Sequence, residues 1–262
     1  MVEPNKNSYF GKNNFKSTNL ISKLFSNEDK KIVRFNITDY NWCSSVNEPN
    51  FDHLNKYKGK IGFFSKDSYE VLKEIELNTT TIDKSFENKK LDFIKIDAEG
   101  HHYEILQGAR EKLKTVLGLE VECEFFQLRK DQKLFYDVIK LLNENDFEFT
   151  DFLVIHRWER DKFRFTGQPQ HSDLLFLKKP EQIIKEFNEK KIMFKVLLKY
   201  IIILTIYNRV DLIKLILDHL DESSVRKYNL NKLHSLIEKK VHRLNRFKQF
   251  ENFISQTTHN EI

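Results

Sequence analysis

Two carboxylates stand two residues apart at Asp97 and Glu99, followed by Gly100, His101 and His102. They close a short apolar run, Leu91 to Ile96, and precede Ile105, Leu106 and Ala109, which are spaced to share one helical face. The pattern predicts a strand, a tight acidic turn and a helix. In open α/β sheets ligands gather outside the carboxyl ends of the strands, where this turn would lie. A carboxylate there can orient an acceptor hydroxyl and take its proton, and an imidazole such as His102 titrates near neutral pH and can do the same. A plainer role for Asp97 is to cap the following helix. Glu120, Glu122 and Glu124 alternate and so share one strand face. Three carboxylates are not buried unpaired, so the last ones must reach the open sheet end or meet a base. Asp97, Glu99, Glu122 and the two histidines are donor types that suit Mg²⁺ or Mn²⁺. They lack tight ligand spacing, and no metal is expected.

These residues sit in a longer pattern. Lys95 to Ala109, KIDAEGHHYEILQGA, closely resembles the K-I-D-x-E-G-x-x-x-x-[IV]-L-x-G-A signature of the FkbM-type methyltransferases. Similar matches in the same order are Phe35–Asn50, Thr80–Phe86, Leu119–Leu142 and Gly167–Lys178, and the resemblance covers residues 1–180. It implies a doubly wound, mainly parallel, Rossmann-like α/β sheet ending in a reversed hairpin. It also implies S-adenosyl-L-methionine as methyl donor and a hydroxyl acceptor on a sugar or glycoconjugate. Asp97 would orient or deprotonate the acceptor beside the cofactor, with Glu99 and His102 as further catalytic candidates. His102 departs from the family, which often has an acid there. Val2-Glu3-Pro4-Asn5 is similar to the family's segment whose acid holds the cofactor ribose, which assigns that role to Glu3. Ser44, Ser45, Glu122 and Trp158 fall on the acceptor side, where Trp158 would stack on a sugar ring or pack among neighbouring arginine stems. The family's glycine-rich turn, which closely approaches the cofactor, has no counterpart among the seven glycines. The expectation is therefore a domain truncated at its N-terminus, lacking the first strand and glycine loop. The rival reading is a non-catalytic remnant of the fold that serves as a binding or scaffold module.

Elements that must position these groups can be read more coarsely. Strands are expected at Ile21–Phe25, Ile32–Ile37, Leu91–Ile96, Val116–Phe125, Phe152–Ile155 and Asp173–Leu177. Helices are expected at Tyr103–Lys114 and Lys133–Asn143, and a long polar connection at Asp39–Glu70. Alternating strands and helices imply a parallel sheet covered on both faces. Beyond Pro180 glycine and further proline disappear, and residues 181–262 read as an α-helical extension. Within it Ile192–Tyr207 is almost entirely apolar but too short and too charged to span a bilayer. It is read as a buried bundle helix, with peripheral membrane contact through 190–209 as the alternative.

The chain has 262 residues, 40% hydrophobic and 32% charged, which fits a globular domain with an appendage. Its 44 basic and 39 acidic side chains leave a formal charge of +5, too mild for a nucleic-acid footprint. Cys43 and Cys123 are far apart and suit two buried thiols. The first residues lack an apolar leader core, and a cytoplasmic, membrane-peripheral at most, location is expected.

Overall fold

The structure is a computed structural model that describes residues 21–57, 65–160 and 167–240. Glu3, with the rest of Val2–Asn5, and residues 241–262 of the expected helical extension lie outside the described residues. The described chain falls into two compact units, divided between Leu177 and Lys178, where the sequence suggests a division at 180.

The first unit holds two sheets. In the smaller one β1 (Leu24–Phe25) runs parallel to β3 (Val71–Thr80), and β2 (Ile32–Thr38) runs antiparallel to it on the other side. The two strands expected at 21–25 and 32–37 flank β3, a strand absent from the sequence reading. The stretch between β2 and β3 contains a 3-10 turn at Asn41–Cys43, helix α1 (Phe51–Leu54) and a second 3-10 turn at Lys66–Tyr69. Asn50 caps α1, its side chain accepting from the His53 N–H.

The larger sheet contains β4 (Phe93–Ile96), β5 (Gly118–Glu124), β6 (Phe147–Trp158) and β7 (Gln168–Lys178), in the order β4-β5-β7-β6. β4 and β5 are parallel, and β7 is antiparallel to β5. The sheets of the described residues are therefore mixed: the fold is α/β, as expected, and they do not show the expected mainly parallel, doubly wound arrangement. One physical reason is the short connection between β6 and β7: parallel neighbours need a crossover of a dozen or more residues.

Period-two alternation divides the larger sheet into an apolar and an acidic face. Ile94, Ile96, Leu119, Val121, Cys123, Leu174 and Phe176 point to one side. There they form a core with Leu106, Ala109, Leu113, Val138 and Leu142. Leu106 comes from α3 (His102–Gln107), Ala109 from the residue before α4 (Arg110–Leu113), Leu113 from α4 itself, and Val138 and Leu142 from α5 (Phe135–Asn143). The opposite face presents Lys95, Glu120, Glu122, Glu124 and Asp173.

The single helix predicted over 103–114 is broken between α3 and α4 at Gly108-Ala109. A Cβ on Gly108 would lie 2.1 Å from the Ser26 carbonyl oxygen, so the end of β1 occupies the space a side chain would need. Before this seam, Thr81 caps the short helix α2 (Ile82–Ser85) by accepting from Lys84 N at 3.0 Å.

The second unit is helical. In it α6 (Pro180–Asn188), α7 (Phe194–Ile206) and α8 (Val210–His219) pack on one another through Ile183, Phe187, Leu197, Tyr200, Leu204, Ile213 and Ile216. A short α9 (Glu222–Lys227) follows, capped by Asp221 on Ser224 N, and residues 231–240 are helical. No helix among the described residues is long and apolar enough to cross a membrane.

Candidate functional site

The acidic turn is built by backbone conformation. After β4 the chain passes through Asp97 and Ala98, and Glu99 and Gly100 then take φ values of +48° and +86°. Such angles are costly for a residue with a side chain and cheap for glycine. Gly100 is needed for a second reason: a Cβ there would lie 3.1 Å from Arg129 Cδ. His101 N–H closes the turn on Ala98 O at 3.0 Å, and His101, not Asp97, occupies the cap position of α3. Ser45 Oγ donates to Glu99 O at 2.7 Å and holds the turn from outside.

Asp97, Glu99 and Glu122 converge, with one carboxylate oxygen from each lying within 4.8 Å of the others. Asp97 is exposed and the other two half-buried. Although Asp97 opens to solvent on one side, the chain packed around its carboxyl partly desolvates it and raises it above its usual range; Lys95 and Arg129 oppose this, and Asp173 and Glu120 add to it. Glu122 is raised well above its ordinary value by burial and then by Glu99 and Asp97. Burial pushes Glu99 up to about 7 despite the Arg129 guanidinium beside it. Carboxylates this close are not all ionised together unless a positive charge lies among them.

Arg129 is the counter-charge, and the sequence reading does not single it out. Its side chain is almost wholly buried; Nη2 pairs with the Glu99 carboxylate and donates to Cys43 O at 3.1 Å. Its Nη1 lies 3.5 Å from Glu124 Oε1, and its Cζ sits 5.4 Å from the Tyr69 ring centroid. The backbone N–H of Arg129 donates to Gln132 Oε1 at 2.6 Å. One guanidinium thus joins the turn after β4 to the end of β5. Glu124, also fully buried, is pushed up to about 7 by burial. Its Oε2 lies 3.5 Å from His102 Nδ1.

The structure sorts the remaining candidates. His102 is 1% exposed and lowered to about 4 by burial, so its ring is a neutral interior group behind Glu124. His101 is likewise lowered to about 4 by burial, and its Nε2 lies 3.0 Å from Ser26 Oγ. Ser44 Oγ accepts from Thr38 N at 3.1 Å, and Ser45 is occupied by the Glu99 carbonyl. Ser45 thus helps to shape the turn, whereas Ser44 is engaged with Thr38. Trp158 is not presented for stacking on a ligand. It is buried with Cys43, Leu54, Tyr57, Tyr69 and Leu128, edge-on to Tyr57 at 5.6 Å. Both cysteines are buried free thiols, and burial pushes Cys43 up to about 12.

The model of the FkbM methyltransferase domain matches residues 1–149. This span is more than half of the chain and includes the whole Asp97–Arg129 constellation. The chain belongs to the FkbM methyltransferase family. No curated protein and no solved structure matches it. In this FkbM domain the signature segment supplies the acidic turn, while the end of β5 and the loop after it supply Glu122, Glu124 and the arginine that anchors it.

Proposed function

We propose that this FkbM domain is an S-adenosyl-L-methionine-dependent methyltransferase acting on a hydroxyl, with a sugar or glycoconjugate as acceptor. The observation that carries this reading is the convergence of Asp97, Glu99 and Glu122 at the carboxyl edge of β4 and β5 in a chain of this family. The acid set fits the positive end of that cofactor: three neighbouring carboxylates are stabilised by a cation. When bound, the cofactor supplies an electrophilic methyl group. Asp97, the most exposed of the three, would accept the proton that the acceptor hydroxyl loses. Glu122 would orient the acceptor, and Glu99, gripped by Arg129, would hold the turn and add negative potential. Glu3 is the candidate for the ribose.

Isothermal titration with S-adenosylhomocysteine tests the reading. Measurable binding supports it. No heat at any concentration would overturn it in favour of a non-catalytic binding module.

A further inference from the structure

Trp42 is 70% exposed, more than any other Phe, Tyr or Trp among the described residues. It stands in the 3-10 turn Asn41–Cys43, and that turn is held firmly. Cys43 N–H donates to Tyr40 O at 2.8 Å, Ser44 N–H to Asn41 O at 3.2 Å, and Thr38 Oγ1 to Tyr40 O at 2.8 Å. The Tyr40 ring packs on the core around Trp158 and lies 6.1 Å from the Trp42 ring. The indole is thus carried on a fixed turn and backed by one ring, while most of its surface meets water. The same turn adjoins the carboxylates. Cys43 O accepts from Arg129 Nη2, the nitrogen that pairs with Glu99. Ser45, three residues after Trp42, donates to Glu99 O at 2.7 Å. The Cys43 thiol is near enough to Glu99 and Glu122 for their charges to add to burial in raising it. Further on, the Asn50 N–H and Nδ2 donate to Leu128 O at 2.9 Å and Gln127 O at 2.8 Å, which pins the segment along the loop that follows β5.

We propose that Trp42 is the platform on which the pyranose ring of the acceptor stacks, the role that Trp158, buried in the core, does not fill. Trp42 has this role only with a sugar acceptor, as in the function proposed above. A single exposed apolar residue needs no explanation. An indole carried on the turn that braces a set of carboxylates has one, because ligand sites join an apolar wall to a few polar groups that fix orientation. A pyranose ring matches that pairing. Its C–H bonds present an apolar face, which gains dispersion contact on the indole, and its hydroxyls donate to carboxylates such as Asp97 and Glu122. Stacking on Trp42 therefore selects acceptors whose ring hydrogens gather on one face, and it rejects those with an axial hydroxyl there. The rigid turn lowers the cost of binding, since the platform is ordered before the sugar arrives.

The test uses the full chain with S-adenosylhomocysteine and a mixture of the methyl glycosides of a hexose, a deoxyhexose and an N-acetylhexosamine. Saturation-transfer NMR should mark ring C–H protons of at least one glycoside. Trp42→Ala should weaken that glycoside's binding by about three- to tenfold, and Trp42→Tyr, which keeps an aromatic face, should restore most of it. Both variants should melt with the parent and bind S-adenosylhomocysteine equally well, because the ring is exposed; this separates a lost platform from a lost fold. In the free protein acrylamide should quench Trp42 and spare Trp158, and the bound glycoside should protect Trp42. S-adenosylhomocysteine binding without transfer to any glycoside, or transfer unchanged by Trp42→Ala, overturns the platform and leaves the methyltransferase reading standing. Trp42 shielded from acrylamide in the free protein, by another segment or a second copy, also overturns it. Glycoside transfer that Trp42→Ala weakens, with no binding of S-adenosylhomocysteine, supports the platform and overturns the catalytic reading alone.

Discussion

Replacing Arg129 with methionine removes the guanidinium and keeps most of the side-chain volume. Two carboxylates then lose their cation: Glu99, paired directly, and Glu124, 3.5 Å from Nη1 and itself 1% exposed. Lys95 is no substitute, because it pairs with Glu120 across β4 and β5. Breaking a buried ion pair by deleting one partner costs about 3–5 kcal/mol. For a unit of this size about 1 kcal/mol shifts the midpoint by roughly 2–4 °C, so the first unit should melt about 6–20 °C lower. The penalty depends on pH in a defined sense. Stranded carboxylates escape it by binding protons, so Arg129→Met should be far more damaging at pH 8 than at pH 5.5. Arg129→Lys keeps a charge but loses the fork that reaches Glu99 and Cys43 O together, and should fall between the two. Circular dichroism melts at both pH values measure this. A methionine variant that melts within about 2 °C of the parent at pH 8 would refute the counter-charge role.

Asp97→Asn should lower methyl transfer about 10²–10⁴-fold while leaving the melting midpoint nearly unchanged, since Asp97 is exposed; activity and melting assays together check it. Glu99→Gln addresses linkage. Burial pushes the Glu99 carboxyl up to about 7 in the fold, from an ordinary value of 4.5. A folded-state value raised in this way means that the native state binds the extra proton, so the associated stability is complete below about pH 4.5 and lost as pH rises through 7. Relative to Glu99→Gln, the parent should therefore lose stability between pH 5 and 8; a gap that stays constant or widens in favour of the parent counts against the assignment. Gly108→Ala drives a Cβ to 2.1 Å from the Ser26 carbonyl and should destabilise the first unit by more than about 2 kcal/mol, read from urea unfolding.

How much of this was legible in the sequence follows from which signals are periodic. The β4 turn could be read because an apolar run stops abruptly at Asp97. The shared face of Glu120, Glu122 and Glu124 could be read because strand alternation leaves no other choice. Arg129 could not be found in this way. In Gln127–Lys133 it looks like one more charge in a polar loop, and its burial depends on acids contributed by two other elements. The available signal was indirect, since several acids converging on one face require a base from somewhere. The strand Val71–Thr80 was missed because Lys73, Glu74 and Glu76 outweigh a weak alternation of Ile75, Leu77 and Thr79. The break at Gly108 and the burial of Trp158 are tertiary facts, set by β1 and by the cluster around Tyr57 and Tyr69.

The contact between Ser26 and the α3–α4 break has a consequence for how the first unit comes apart. Ser26 meets Gly108 through its carbonyl and His101 through its hydroxyl, while its own N–H is held by Thr80 O at 2.9 Å. A single residue thus stitches the small sheet to the helix layer of the large one. The amide protons of β3 and of α3 should therefore exchange with deuterium at a common rate through one shared opening event, rather than as two separately breathing layers.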